Sequence, residues 1–355
     1  MPSGHRGRLH PSGYPGRCGP VSKDNHGREI DYLRISVTDR CNLRCLYCMP
    51  EDGVTWKPHD SILTIEEIER LVRIAAAEGF SRIRLTGGEP LVRLGIVDLV
   101  RSVVKTAGIE SVAMTTNGLL LPQMAEQLKQ AGLQRVNISL DTLDPEQFTY
   151  ITRRGKIEDV FAGIEADLAV GFNPVKINAV VVRSLNQDLL TFAKLSFDRP
   201  LHVRFIEYMP VGDSCGSGGT GWTEADTIPN DELVSMLNAL AIADGIGPLL
   251  PIAKTKSPQG WGPAQYYQFD GAKGTVGFIS ALSRHFCSEC NRLRVTAEGQ
   301  LRPCLFSDLE YDLRTALRAG DDASVQETLR RALKAKPDSH HHRVGTERLM
   351  SQIGG

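Results

Sequence analysis

Three cysteines fall within eight residues in the run Cys41-Asn-Leu-Arg-Cys45-Leu-Tyr-Cys48. Thiolates at this spacing bind a soft metal or an iron–sulfur cluster. A structural zinc site normally takes four protein ligands, whereas a three-cysteine cluster leaves one iron open for chemistry. A second group, Cys287-Ser-Glu-Cys290 and, after thirteen further residues, Cys304, has a similar look. On spacing alone both groups stay open to a zinc reading: the first as half of a site completed elsewhere, the second as a knuckle with His285 as fourth ligand. Six of the eight cysteines fall in these groups, which favours metal binding in a reducing, cytoplasmic setting over disulfides. Cys18 and Cys215 receive no role.

The elements that must position these groups follow from patterning. The chain has 355 residues and a formal net charge of −1, so its overall balance asks for neither nucleic acid nor membrane. No apolar run is long enough to span a bilayer, and no signal segment opens the chain. Residues 1–30, rich in Gly, Pro, His and Arg, read as a disordered tail. From Asp31 strand and helix alternate six times, with strands expected at Leu33–Val37, Arg82–Thr86, Ser111–Thr116, Arg135–Leu140, Val175–Val182 and Leu201–Met209. Thr64 with Glu67 is a capping-box pattern opening the first helix. Gly132 and Gly171 close later ones.

Within each strand apolar and polar residues alternate: Leu33, Ile35 and Val37 against Arg34, Ser36 and Thr38; Val136, Ile138 and Leu140 against Asn137, Ser139 and Asp141. A parallel sheet packed on both faces would read almost continuously apolar. One apolar and one polar face instead imply a curled sheet around a polar lumen, a partial (β/α)6 TIM-like barrel over residues 31–210. Arg34, Arg84 and Lys176 would point inward. Either Asp141 and Glu207 pair with them, or a polyanion such as a triphosphate does. Residues 211–355 form a C-terminal α+β extension. It opens on the Gly/Ser-rich stretch 212–221, followed by a helix after Pro229, a hairpin of Ala264–Phe269 with Thr275–Ser280, and helices near Tyr311–Arg318 and Ser324–Ala335. His340–His342 reads as surface, and the terminal Gly354-Gly355, on its own, as a flexible end.

The first cysteine run, with Tyr47 before its last cysteine, resembles the radical S-adenosylmethionine superfamily. The longer string from Leu33 through Thr38-Asp-Arg to Met49-Pro50 is similar to one branch of it, the GTP 3′,8-cyclase family of molybdenum cofactor biosynthesis. The resemblance implies a barrel core with Cys41, Cys45 and Cys48 at its C-terminal mouth, holding a 4Fe-4S cluster. S-adenosylmethionine would chelate the open iron and yield a 5′-deoxyadenosyl radical. Gly87-Gly88-Glu89-Pro90 matches the element that meets the cofactor's amino group, and Tyr47, Gly88, Ser139 and Met209 match cofactor-contacting positions.

The same resemblance assigns Cys287, Cys290 and Cys304 to a second 4Fe-4S cluster whose open iron meets the purine of GTP. Peptide-modifying relatives typically carry more cysteines there. Arg34, Arg84, Thr115, Lys176, Arg292 and Arg294 match substrate-binding positions, with Arg292, Arg294, Gly354 and Gly355 expected to serve catalysis. The family tail enters the active site. The implied reaction, of the lyase class, abstracts the ribose 3′ hydrogen, joins C3′ to C8 of guanine, and closes with one electron and one proton. The product is (8S)-3′,8-cyclo-7,8-dihydroguanosine triphosphate. It would pass to cyclic pyranopterin monophosphate synthase, a pathway partner. The electron donor is left unnamed and a homodimer left open. The rivals are a radical enzyme acting on a peptide and a zinc-binding interaction protein.

Overall fold

The structure, a computed structural model, describes residues 21–54, 57–211, 222–340, 346 and 348–354. Six parallel strands form its centre: β1 (Tyr32–Ser36), β2 (Arg82–Thr86), β3 (Ser111–Thr116), β4 (Arg135–Ser139), β5 (Val175–Val181) and β6 (Leu201–Glu207). They lie in sequence order, each joined to the next by helix. The expected alternation decides the faces. Leu33, Ile35, Ile83, Leu85, Val136, Ile138 and Ile177 are all fully buried in one apolar core with the helices. The first of these, α1 (Ile65–Ala77), opens on Thr64, whose side chain accepts from Glu67 N while Glu67 reaches back.

Three expectations for the remaining chain need correction. First, the extension continues the barrel sheet. Strand β9 (Thr275–Ile279) runs parallel beside β6, and β10 (Arg292–Val295) parallel beside β1. β8 (Gln265–Gln268) forms the expected hairpin with β9 and pairs on its other side with the short β7 (Leu250–Pro251). Second, Tyr311–Asp312, expected in a helix, is a short edge strand, β12, against β11 (Gln300–Arg302). The helix starts only at Arg314, where Asp312 Oδ1 accepts its first N–H. A later helix, α9, spans Asp322–Lys334.

Third, residues 21–30 are ordered although they lack apolar periodicity. Lys23 and Glu29 form a bridge, Ile30 is fully buried, and Asp24 accepts from the backbone N–H groups of His26 and Arg28. Polar contacts, which periodicity does not register, hold this segment. Residues 1–20, the 212–221 stretch, Cys18, Cys215, His341, His342 and Gly355 lie outside the described residues. Among the described residues no helix is long and apolar enough to cross a membrane.

Candidate active site

The polar faces of the strands converge on a cationic lumen. Arg84 and Lys176 are buried and Arg34 half-buried. Burial, and then Arg204, Arg135 and Arg84, push the Lys176 ammonium well below its ordinary range. Burial, and then Arg294, do the same to Arg34. Arg84 donates to the Thr115 hydroxyl at 3.1 Å and to Tyr32. Arg135 and Arg204, not singled out in the sequence, belong to the same set. Arg135 shares the inward parity of Asn137, and Arg204 lies opposite the inward Asn178, so alternation alone could have found both. Asp141 and Glu207 do not serve as the expected counter-ions. Asp141 accepts from the Tyr47 hydroxyl (2.6 Å) and Val180 N (2.8 Å), and burial pushes it up to about 6. Glu207 accepts from Asn230 N, Leu282 N and Ser283. Both carboxylates organise loops.

Register places the two cysteine groups at opposite mouths of the barrel. The first follows the C-terminal end of β1. Cys290 precedes β10, whose first residue Arg292 sits beside Tyr32 at the start of β1. β11 runs antiparallel to β10 and returns Cys304 to that N-terminal mouth. The five residues of β1 between the mouths span roughly 16 Å. Trp261 lies across the N-terminal mouth, 3.9 Å from the Arg135 guanidinium and 5.6 Å from the Tyr32 ring. The Gln259 carbonyl accepts from Lys176.

At the C-terminal mouth the thiols of the first triad sense one another's charge. Burial, followed by Cys48 and Asp141, raises Cys45 well above the thiol range. Burial pushes Cys41 up to about 11, and burial with Cys41 pushes Cys48 up to about 12. Three soft donors on one loop, each costly to ionise alone, fit a group that supplies positive iron.

The double glycine packs against this loop. A Cβ on Gly88 would stand 2.4 Å from the Arg40 carbonyl oxygen, and one on Gly87 2.7 Å from that of Thr38. The close approach expected from a ligand is made here by the cysteine loop itself. Gly88 N and Glu89 N donate to Thr38 and Arg40 at 2.8 Å each. Buried Glu89 accepts from Thr116 and Asn117 N, both at 2.7 Å, and Asn117 in turn reaches Asn42 and Cys41. Ser139 ends β4, half-buried. Met209 packs on Val211, Phe306 and Ile353, the apolar role it would have in a core.

The C-terminal segment enters at the same mouth. Ser351 donates to the Cys48 carbonyl at 3.2 Å. Gly354 adopts φ +69°, and a Cβ there would meet Thr86 Oγ1 at 2.5 Å. At the other mouth burial raises Cys287, which also feels Cys304 and Cys290. Burial pushes Cys290 up too, but Lys336 and Arg292 outweigh it and bring the thiol down to about 7. The ligand atoms of His285, Cys287 and His340 lie within 4.8 Å of one another. His340, expected on the surface, is buried against Phe306 and His285.

Two family models cover the chain: Radical SAM superfamily over residues 35–195 and Molybdenum Cofactor Synthesis C over 201–342. A GTP 3′,8-cyclase of Pelotomaculum thermopropionicum is 50% identical over 94% of this chain and 100% of its own length. The chain belongs to the GTP 3′,8-cyclase family. Another member, from Heliobacterium modesticaldum, is 51% identical over 94% of this chain and 99% of its own. Among solved structures, Streptococcus suis SuiB bound to S-adenosylmethionine aligns with a TM-score of 0.56 at 17% identity, over 86% of this chain and 69% of that one. Native anSMEcpe with bound AdoMet also gives 0.56, at 16% identity over 88% and 82%. These two show the shared fold, the partial barrel of radical S-adenosylmethionine proteins.

Proposed function

We propose that this chain is a GTP 3′,8-cyclase, an enzyme that isomerises GTP to (8S)-3′,8-cyclo-7,8-dihydroguanosine 5′-triphosphate in the first step of molybdenum cofactor biosynthesis. One observation carries the reading: a cationic lumen strung between two cysteine triads. A small neutral substrate would not need so many inward cations, whereas the charge of a triphosphate matches them.

Cys41, Cys45 and Cys48 would hold a 4Fe-4S cluster, with Tyr47, Gly88, Ser139 and Met209 around S-adenosylmethionine. When bound, this pair supplies a 5′-deoxyadenosyl radical, which can take hydrogen from C3′ of the ribose. Arg34, Arg84, Thr115 and Lys176, joined by Arg135 and Arg204, would bind the triphosphate, since guanidinium forks match phosphate oxygens. Arg292 and Arg294 would orient the purine toward the second triad, Cys287, Cys290 and Cys304, read as the ligands of a second 4Fe-4S cluster. Trp261 and the apolar residues round the tail would exclude water. The product is of the kind consumed by cyclic pyranopterin monophosphate synthase. Free cysteines at both triads support a cytoplasmic setting.

The test is isotopic. Reconstituted protein given S-adenosylmethionine, a reductant and GTP deuterated at C3′ should place the deuterium in deoxyadenosine, one per cyclised product. Deoxyadenosine without deuterium, or zinc in place of iron, would reject the reading.

A further inference from the structure

Lys336, just beyond α9, is almost fully buried, at 3% exposure. Its ammonium bonds both arms that carry the second cysteine triad. It donates to the Arg292 carbonyl at 3.0 Å and to the Pro303 carbonyl at 2.8 Å. The Cys290 thiol is near enough to feel its charge. Arg292 lies two residues after Cys290, and Pro303 immediately precedes Cys304. One side chain therefore ties together the two arms that bring these cysteines to the same mouth.

The segment that carries Lys336 is itself fastened. Arg28 donates through Nη1 to the carbonyls of Cys287 (2.6 Å) and Asp338 (2.9 Å) while its Nε pairs with Asp24 at 2.6 Å. The His340 backbone N–H bonds the Cys287 sulfur. Residues 336–340 thus meet Cys287 directly and the arms of Cys290 and Cys304 through their neighbours.

We propose that Lys336 is a positioning residue of the second cluster, locking its cysteine arms and placing a fixed positive charge beside its thiolates. The inference rests on reading that triad as a cluster ligand set. Reduction adds a negative charge to a cluster, and a nearby buried cation favours the reduced form. Among the described residues the first triad receives no comparable contact from a lysine.

The full chain carrying Cys45→Ser, reconstituted without oxygen, isolates the second triad. It should hold about four irons. Zinc or no metal there overturns the cluster reading, and the role of Lys336 with it. With iron present, Lys336→Met should shift the midpoint potential downward in an EPR-monitored titration and release iron to a chelator several-fold faster. Lys336→Arg should restore both toward the parent. A potential and a release rate unchanged by Lys336→Met overturn the role of Lys336 alone. Lys336→Gln, neutral but able to donate, should keep the slow release yet show the lowered potential. The first cluster's iron content, measured in Lys336→Met with all cysteines present, reports folding independently.

Discussion

The Gly354 carbonyl accepts a hydrogen bond from Arg294 Nη1 at 2.8 Å, inside the barrel. The chain's penultimate residue is thereby tied to a strand on which purine binding is proposed. Buried Ile353 anchors the approach. Deleting Gly354 and Gly355 should leave iron content and melting temperature near the parent's, because Ile353 stays. Cyclised product should fall severely while deoxyadenosine still forms. Measuring all four quantities on one sample decides it, and full product formation would reduce the tail to a frayed end.

Iron content provides a second prediction. Anaerobically reconstituted protein should bind about eight irons. Cys45→Ser should halve that number and stop deoxyadenosine formation entirely. An iron assay and chromatography of the cofactor products suffice.

Removing one inward cation should weaken GTP. For Lys176→Ala or Arg204→Ala the lost charge-assisted contact is worth about 1.5–3 kcal/mol, or roughly one to two decades of affinity. Calorimetric binding of GTP to iron-loaded protein gives the number. Unchanged affinity in both variants would remove the lumen as the phosphate site.

Gly88→Ala tests the packing of one loop on the other. The added methyl meets backbone at Arg40, which cannot rotate away. The variant should load less iron at the first triad, and a clash of this kind typically costs about 1–3 kcal/mol. Iron retention and thermal unfolding, followed together, report it.

Asp167, fully buried in α5 (Ile157–Ala169), supplies a pH test far from the site. Burial pushes its carboxyl up to about 7 from an ordinary 3.8, and Lys129 offsets this only in part. The folded chain therefore keeps a proton that the unfolded chain releases between those values. Its contribution to stability is greatest at low pH and declines as pH rises from about 4 to 7. Asp167→Asn, neutral throughout, should melt higher than the parent at pH 8 and near it at pH 4. At about 1.36 kcal/mol for each pH unit between 3.8 and about 7, the difference is at most about 4 kcal/mol.

Much of this was legible in the residues themselves. The six central strands lie within two residues of where alternation puts them, because one buried face enforces period two. Arg34, Arg84 and Lys176 point inward for the same reason. The place of the strand Arg292–Val295 beside β1 was not legible. Its four residues carry the same alternation, Leu293 and Val295 against two arginines, over too short a run for a period to register. Lys336 was silent because its partners are carbonyls and a thiol distant in sequence. Residues 21–30 were missed because Arg28 is held by backbone oxygens that only the folded chain assembles.

The placement of β9 and β10 on the two flanks of the central sheet has a consequence for synthesis. As the polypeptide emerges from the ribosome, β1 and β6 present unpaired edges, the exposed hydrogen-bonding rows that invite association with other chains. Their partners are made far later: β10 begins 260 positions after β1. Contacts of such sequence separation are slow to form, so the nascent barrel waits with open flanks until its last third is translated. A chain released near residue 210 should collect in the insoluble fraction, whatever its capacity for iron.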